Sequence, residues 1–299
     1  MKIKRTQILL STLLFLAALG LSGCGFTSFI MHPFGGHKSS LKKRLIIMPI
    51  IDQANLGGQV TRELFTTLAG RLEASGKVVV FESHETIFVG GEHTDLPYGV
   101  NPDLKFLANA RQRGMNAVLT GIITPIEKEE RLRGIWPLRR AVARYSIAFI
   151  LNLIDPQDGT VIMSHLEADG VDIDLEEEEF TDKNWILAQL REKILPRIMK
   201  RSIKPIRQAL ESEPWEGRIL KVNHQIQINA GADVGVKPGY RFEVYGGRET
   251  VTAKGGRQFL VSWKRIGEIR VTEVHNTTAL AEPIKGKGFK AGQKIVSLD

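Results

Sequence analysis

The sequence predicts an α+β protein, with a mixed α/β domain over residues 41–212 in the order βαβαβββα and a small all-β barrel over residues 213–299. Three observations carry this prediction. Apolar runs alternate with helical periodicity as far as Ser212. Glu213-Pro214 then interrupts the pattern as a linker would. Beyond it the chain holds only short strands separated by glycine-rich turns.

Residues 1–40 follow neither pattern. Lys2, Lys4 and Arg5 form a basic start, Ile8 to Leu21 is almost wholly apolar, and small residues close the run before Cys24. Basic start, apolar core and small-residue end, in that order, mark a secretory signal over residues 1–23. The apolar run is short of the roughly 20 residues that span a bilayer. Leu21-Ser22-Gly23-Cys24 resembles the lipobox of bacterial lipoprotein precursors. That resemblance implies cleavage before Cys24 and acylation of its sulfur, hence attachment to a membrane through lipid. Cys24 is the only cysteine, so it has no partner for a disulfide within the chain. Gly25 to Ser40 is rich in Gly, Ser and His and reads, with Cys24, as a lipidated tether over residues 24–40. By the rule of that family, Gly25 rather than an aspartate after the cysteine implies the outer membrane; the leaflet is left open, and the protein is expected to face the periplasm.

Within the α/β domain, Arg44 to Ile51 is a continuous apolar run, as expected of a strand buried on both faces. Gly57-Gly58 marks a turn, and Val60, Leu64, Leu68 and Leu72 repeat at helical spacing until Ser75-Gly76. Lys77 to Phe81 is the next strand. Asn101-Pro102 offers a cap and a first-turn proline for a helix that ends at Gly114. Asn116 to Ile123 is a third strand. Residues Tyr145 to Leu153 alternate, Asp155 to Gly159 is a turn, and Thr160 to Ala168 returns as the hairpin partner. Leu187, Leu190, Ile194 and Ile198 mark a final helix whose continuity Pro196 and Pro205 challenge. The opening strand, helix and valine-rich strand resemble a recurring periplasmic domain. It occurs in the amino-terminal domain of the Tol-system translocation protein, in the curli secretion lipoprotein and in the middle domain of flagellar assembly protein T.

In the barrel, strands are expected at Gly217–Val222, Gln225–Asn229, Tyr240–Tyr245, Ile266–Val274, Ala279–Glu282 and Gln293–Ser297. So few strands favour a small barrel over a sandwich. The turn Gly235 to Gly239 and the strand Ile266 to Val274 resemble the carboxy-terminal domain of flagellar assembly protein T, which implies an SH3-like barrel.

Composition restricts function. Removal of residues 1–23 leaves 38 basic against 33 acidic residues, a net charge of +5, too mild for a nucleic-acid footprint. Familiar catalytic motifs for zinc hydrolysis, serine esterases and phosphate loops do not occur, and no cofactor or metal is expected. His84, Glu85, His93 and Asp95 read as scattered surface residues. The acidic run Asp169 to Asp182 reads as a solvated loop, with cation binding left open. The basic run Lys128 to Arg144 reads as a connection in which Arg131, Arg133, Arg139 and Arg140 crowd around Trp136, a docking site for an acidic partner or phospholipid. The expected protein is not an enzyme. It is a lipid-anchored structural and interaction protein, with the membrane and envelope components such as the flagellar basal body as partners. A homo-oligomer is left open, and a curli-type secretion pore is the alternative.

Overall fold

The computed structural model describes residues 41–82, 93–96, 99–102, 104–247, 250–252, 258–260 and 263–298. The signal, the lipobox residues Leu21, Ser22, Gly23 and Cys24, the tether, and His84 and Glu85 lie outside them. The fold is α+β: a mixed sheet with helices on its faces, joined to a closed six-stranded antiparallel barrel.

The sheet opens with β1 (Lys43–Ile47), every residue of which is buried. The apolar run does not continue as one strand, because Pro49 lacks an N–H, and it resumes as the short β2 (Ile51–Asp52). Helix α1 (Gly58–Glu73) buries Val60, Leu64, Leu68 and Leu72, the four residues of its apolar stripe. Each such side chain contributes roughly 1.5–3 kcal/mol on leaving water. Strand β3 (Val78–Glu82) pairs parallel with β1. The hairpin of β4 (His93–Leu96) and β5 (Gly99–Pro102) follows, and then α2 (Leu104–Gln112). Asn101 and Pro102 therefore end a strand rather than cap the helix, because their backbone faces Thr94 and His93 across that ladder.

Strand β6 (Ala117–Ile123) is buried throughout and lies between β1, parallel, and β8 (Arg140–Ile154), antiparallel. Two departures from expectation occur here. Glu127 to Arg133 form a strand, β7, paired with the outer half of β8, where an irregular connection was expected. All seven of its residues are exposed, so it has no apolar alternation to announce it. Strand β9 (Val161–Asp174) runs the length of β8 and carries the first part of the acidic run. The acidic run is thus a strand continued by α3 (Leu175–Glu178), not a loop.

The final helix is continuous. Helix α4 (Lys183–Gln189) passes through one wide π turn, Leu190–Ile194, into α5 (Leu195–Ser212). The wide turn ends two residues before Pro196, so the helical ladder loosens where the proline has no N–H to give. Pro205 lies inside α5, yet Ile206 and Leu210 beyond it remain buried, so packing outweighs the local penalty. One core lies between the sheet and helices α1, α4 and α5; a smaller one lies beneath α2 on the opposite face. The body is three layers at β1 and β6 and two layers under the rest of the sheet.

The barrel comprises β10 (Glu216–Val222), β11 (Ile226–Ile228), β12 (Arg241–Tyr245), β15 (Arg265–Val274), β16 (Ala279–Gly286) and β17 (Lys294–Ser297). Between β12 and β15 the short pair β13 (Thr250–Thr252) and β14 (Gln258–Leu260) forms a separate hairpin. The six strands close in the order β10-β11-β16-β15-β12-β17. Gly235 and Gly239, at φ near +92° and +93°, turn the chain into β12 through a conformation that other residues rarely adopt. Trp215 and Phe242 centre the barrel core with ring centroids 5.6 Å apart.

Body and barrel share a seam at the start of β1. Leu41 is buried in the barrel core although it precedes the first strand of the body. Lys42 donates its N–H to Val234 O at 2.9 Å and accepts at its carbonyl from Trp215 Nε1 at 3.0 Å. The buried Arg44 holds Asp233 through Nε at 3.1 Å and Nη2 at 2.8 Å. Asn116 accepts from Arg44 N at 2.9 Å and donates to Glu216 O at 2.7 Å. Lys43 donates to Leu210 O and Glu213 O at the end of α5. A Cβ at Gly114 would push the Asn229 side-chain amide aside, and φ of +75° there is itself a conformation that favours glycine.

Candidate functional site

The outer part of β8 is flanked by β7 and β9 and lies beyond the reach of β6, which pairs only with Phe149 to Ile154. These three strands form an arm on the body. In a ladder, facing residues share one side. Arg131 and Arg133 of β7, Arg140 and Arg144 of β8, and Asp172 and Asp174 of β9 therefore occupy the same face.

There the charges meet. Arg131 donates to Asp172 at 2.8 and 2.9 Å, Arg133 approaches the same carboxylate at 3.0 Å, and Arg144 donates to it at 3.0 Å. Arg140 donates to Asp174 at 2.8 Å. On α5, Arg197 and Arg201 bind Asp169 at 3.2 and 3.1 Å. Burial alone would raise the Asp172 carboxyl, but the hydrogen bonds from Arg131 and Arg144 outweigh it and hold it below the usual range. Asp169 shifts the same way, with burial opposed by the Gly170 N–H and by Arg197 and Arg201. The basic run, expected as a connection, is therefore corrected to two paired strands and a turn, in which Arg131, Arg133 and Arg140 each meet a carboxylate. The acidic and basic runs neutralise one another across the sheet. Exposed pairs contribute about 0.2–1 kcal/mol each, but here they also give a fully exposed charged strand a reason to pair.

The opposite face of the arm is covered by α3. Glu178 accepts from Tyr145 Oη at 2.5 Å and pairs with Lys128 at 2.6 Å. Those two bonds lower the Glu178 carboxyl and, through the same contact, raise the Tyr145 hydroxyl.

At the end of the arm the chain reverses through Gly134 to Arg139. Leu138 N–H donates to Ile135 O at 2.7 Å, closing a tight turn. The turn presents apolar side chains to solvent: Leu132 is 66 % exposed, Ile135 86 %, Trp136 78 % and Leu138 82 %. Of the residues singled out in the sequence, the structure brings Arg131, Arg133, Trp136, Arg139 and Arg140 together around this tip. Arg139 has no carboxylate partner among the described residues, whereas the other three arginines are paired. Sequence reasoning missed Leu132, Ile135 and Leu138. Their spacing around Trp136 was visible, but only a reversal at Gly134 places them on one exposed knob. Phe180, 86 % exposed just beyond α3, was missed as well.

Shallow surface grooves among the described residues include one on α1 along Gln59, Arg62 and Glu63, and another between Arg71 of α1 and Lys200, Lys204 and Arg207 of α5. Neither sets a nucleophile against a base. No group of three or more His, Cys, Asp or Glu among the described residues is arranged to hold a metal ion.

No family model matches the chain, and no curated protein matches it. Solved structures similar to it include the PelC dodecamer of Paraburkholderia phytofirmans, at 14% identity over 57% of this chain and 89% of that one, with a TM-score of 0.32. The lipoprotein GNA1162 of Neisseria meningitidis is 13% identical over 53% of this chain and 99% of its own, with a TM-score of 0.25. TolB of Acinetobacter baumannii is 9% identical over 81% of this chain and 58% of its own, with a TM-score of 0.30.

Proposed function

We propose that this chain is a lipid-anchored envelope protein that works by binding rather than by catalysis. The observation that carries the reading is Leu21-Ser22-Gly23-Cys24 at the end of a basic and apolar leader. The anchor holds the protein at the periplasmic side of the outer membrane. The α/β body over residues 41–212 and the barrel over residues 213–299 supply contact faces. Support of flagellar basal-body assembly is the specific role proposed, on the likeness of the turn Gly235 to Gly239 and the strand Ile266 to Val274 to flagellar assembly protein T. Flagellar genes beside this one would support that role, and their absence would count against it.

The seam supports a scaffold role. Leu41, Arg44 and Trp215 tie the start of the body to the barrel core, so a load carried by the tether would reach both parts together. A secretion pore is less well supported. Strand β7 has seven residues and all are charged except Leu132, whereas a membrane-crossing strand needs about 9–11 residues with an apolar outer face.

The test is Cys24→Ser. Acyl chains contribute about 0.8 kcal/mol per buried methylene, and two or more give stable attachment. The variant should leave the membrane fraction or accumulate as unprocessed precursor. Normal processing together with unchanged membrane fractionation would show that lipid does not hold the protein.

A further inference from the structure

We infer that the β7–β8 tip is a second membrane contact, a wedge that inserts Ile135, Trp136 and Leu138 into the interfacial region of an anionic phospholipid bilayer. This deepens the proposed function and rests on it in one respect: lipid at Cys24 keeps a bilayer near the tip.

The geometry favours a bilayer as the occupant. The apolar residues sit on a convex reversal, not in a groove or along a flat stripe, and a bilayer closes around a convex knob without a matching pocket. They surround a tryptophan, whose ring combines an apolar body with a polar N–H and concentrates at membrane interfaces. Along the chain the charges flanking the turn are all of one sign, Arg131, Arg133, Arg139 and Arg140, and the acids of β7 stop at Glu130; the carboxylates of β9 and α3 come from across the sheet. Asp172 and Asp174 are already engaged by arginines behind the tip, and Arg139 has no carboxylate partner among the described residues. Guanidinium groups beside the exposed apolar tip would stand at the level of lipid phosphates; Arg139, without a carboxylate partner among the described residues, gains a counter-ion there, while Arg131, Arg133 and Arg140 keep theirs. A protein pocket would instead have to desolvate them.

Reach permits both contacts at once. Strand β8 has 15 residues and is about 50 Å long. The sequence from Cys24 to Leu41 can extend to about 60 Å. The chain leaves the body at the Ile154 end of β8, away from the tip, so a nearly extended segment is needed to put anchor and tip in the same membrane, and its length suffices.

The experiment uses the full lipidated chain reconstituted in vesicles of phosphatidylethanolamine and phosphatidylglycerol whose acyl chains carry bromine, a contact quencher of tryptophan. The chain has four tryptophans, so insertion of one should quench about a quarter of the emission. Trp136→Phe should abolish that fraction while circular dichroism stays unchanged. Arg139→Glu with Arg140→Glu, or phosphatidylcholine in place of phosphatidylglycerol, should reduce it at least threefold. Equal quenching in wild type and Trp136→Phe would overturn the inference, and so would no quenching at all. A photo-reactive residue at position 138 in cells should yield a phospholipid adduct; an adduct with protein alone would also overturn it. Failure here leaves anchoring intact if the chain still sediments with vesicles and Cys24→Ser does not.

Discussion

The seam and the arm tip break the ordinary rule of burial in opposite directions. At the seam, Lys43 and Arg44 are charged and buried. At the tip, Leu132, Ile135, Trp136 and Leu138 are apolar and exposed. The seam balances its inversion inside the chain, because Arg44 finds Asp233 and the carbonyls of Asn229 and Thr277. The tip does not balance its inversion, since none of its four apolar residues joins a described core. A buried charge with a full set of partners is structure. An exposed apolar knob with none points outside the molecule.

If that contrast is right, damage at the seam should cost stability and damage at the tip should cost binding alone. The largest expected loss is at Arg44. Arg44→Met leaves Asp233 and two carbonyls without their donor, and breaking such a pair costs about 3 kcal/mol or more. Chemical denaturation of the mature chain should show it. A loss under about 1 kcal/mol, the range of an exposed pair, would mean that the seam is wetter than its geometry implies.

Next comes the pH dependence of Lys43. Burial lowers its pKa from 10.5 to about 8, against the opposing pull of Glu213 and Glu216. The folded chain therefore binds fewer protons than the unfolded chain between those values, so this group makes stability rise from pH 8 towards pH 10.5. Below pH 8 the whole cost of burying the ammonium is present, on the order of 3 kcal/mol. The difference in stability between wild type and Lys43→Met should change across that window and be level below it. A constant difference from about pH 7 to about pH 10 would show that Lys43 titrates normally.

The smallest stability effect should come from the tip. Trp136→Ser with Leu138→Ser removes two exposed side chains and should shift stability by no more than about 0.5 kcal/mol per site. A clear drop in melting temperature would show that the knob packs against the chain itself, and the contrast with the seam would collapse.

Regular apolar patterning made much of the fold legible. The stripe of α1, the buried strands β1 and β6, the alternation of β8 and all six barrel strands stand in the sequence because each must hide a continuous face. The strand β7 could not be read. Its seven residues hide nothing, and it pairs only because β8 offers a free edge and β9 offers carboxylates to its arginines. The candidate site divides the same way. Trp136 and the arginines drew attention by type, whereas Leu132, Ile135 and Leu138 counted only once the turn showed them uncovered.

By itself, then, the sequence determined the α+β class, the change of pattern at Glu213-Pro214 and the helix and strand faces that pack. These are local or periodic properties, set by side-chain chemistry at short spacing. Tertiary structure decided which charges neutralise each other, since Arg131 and Asp172 meet only across β8. It also decided that Leu41 belongs to the barrel core and that the apolar turn around Trp136 stays bare. Long-range pairing and solvent exposure depend on where distant segments come to lie, and no pattern of neighbours along the chain encodes that.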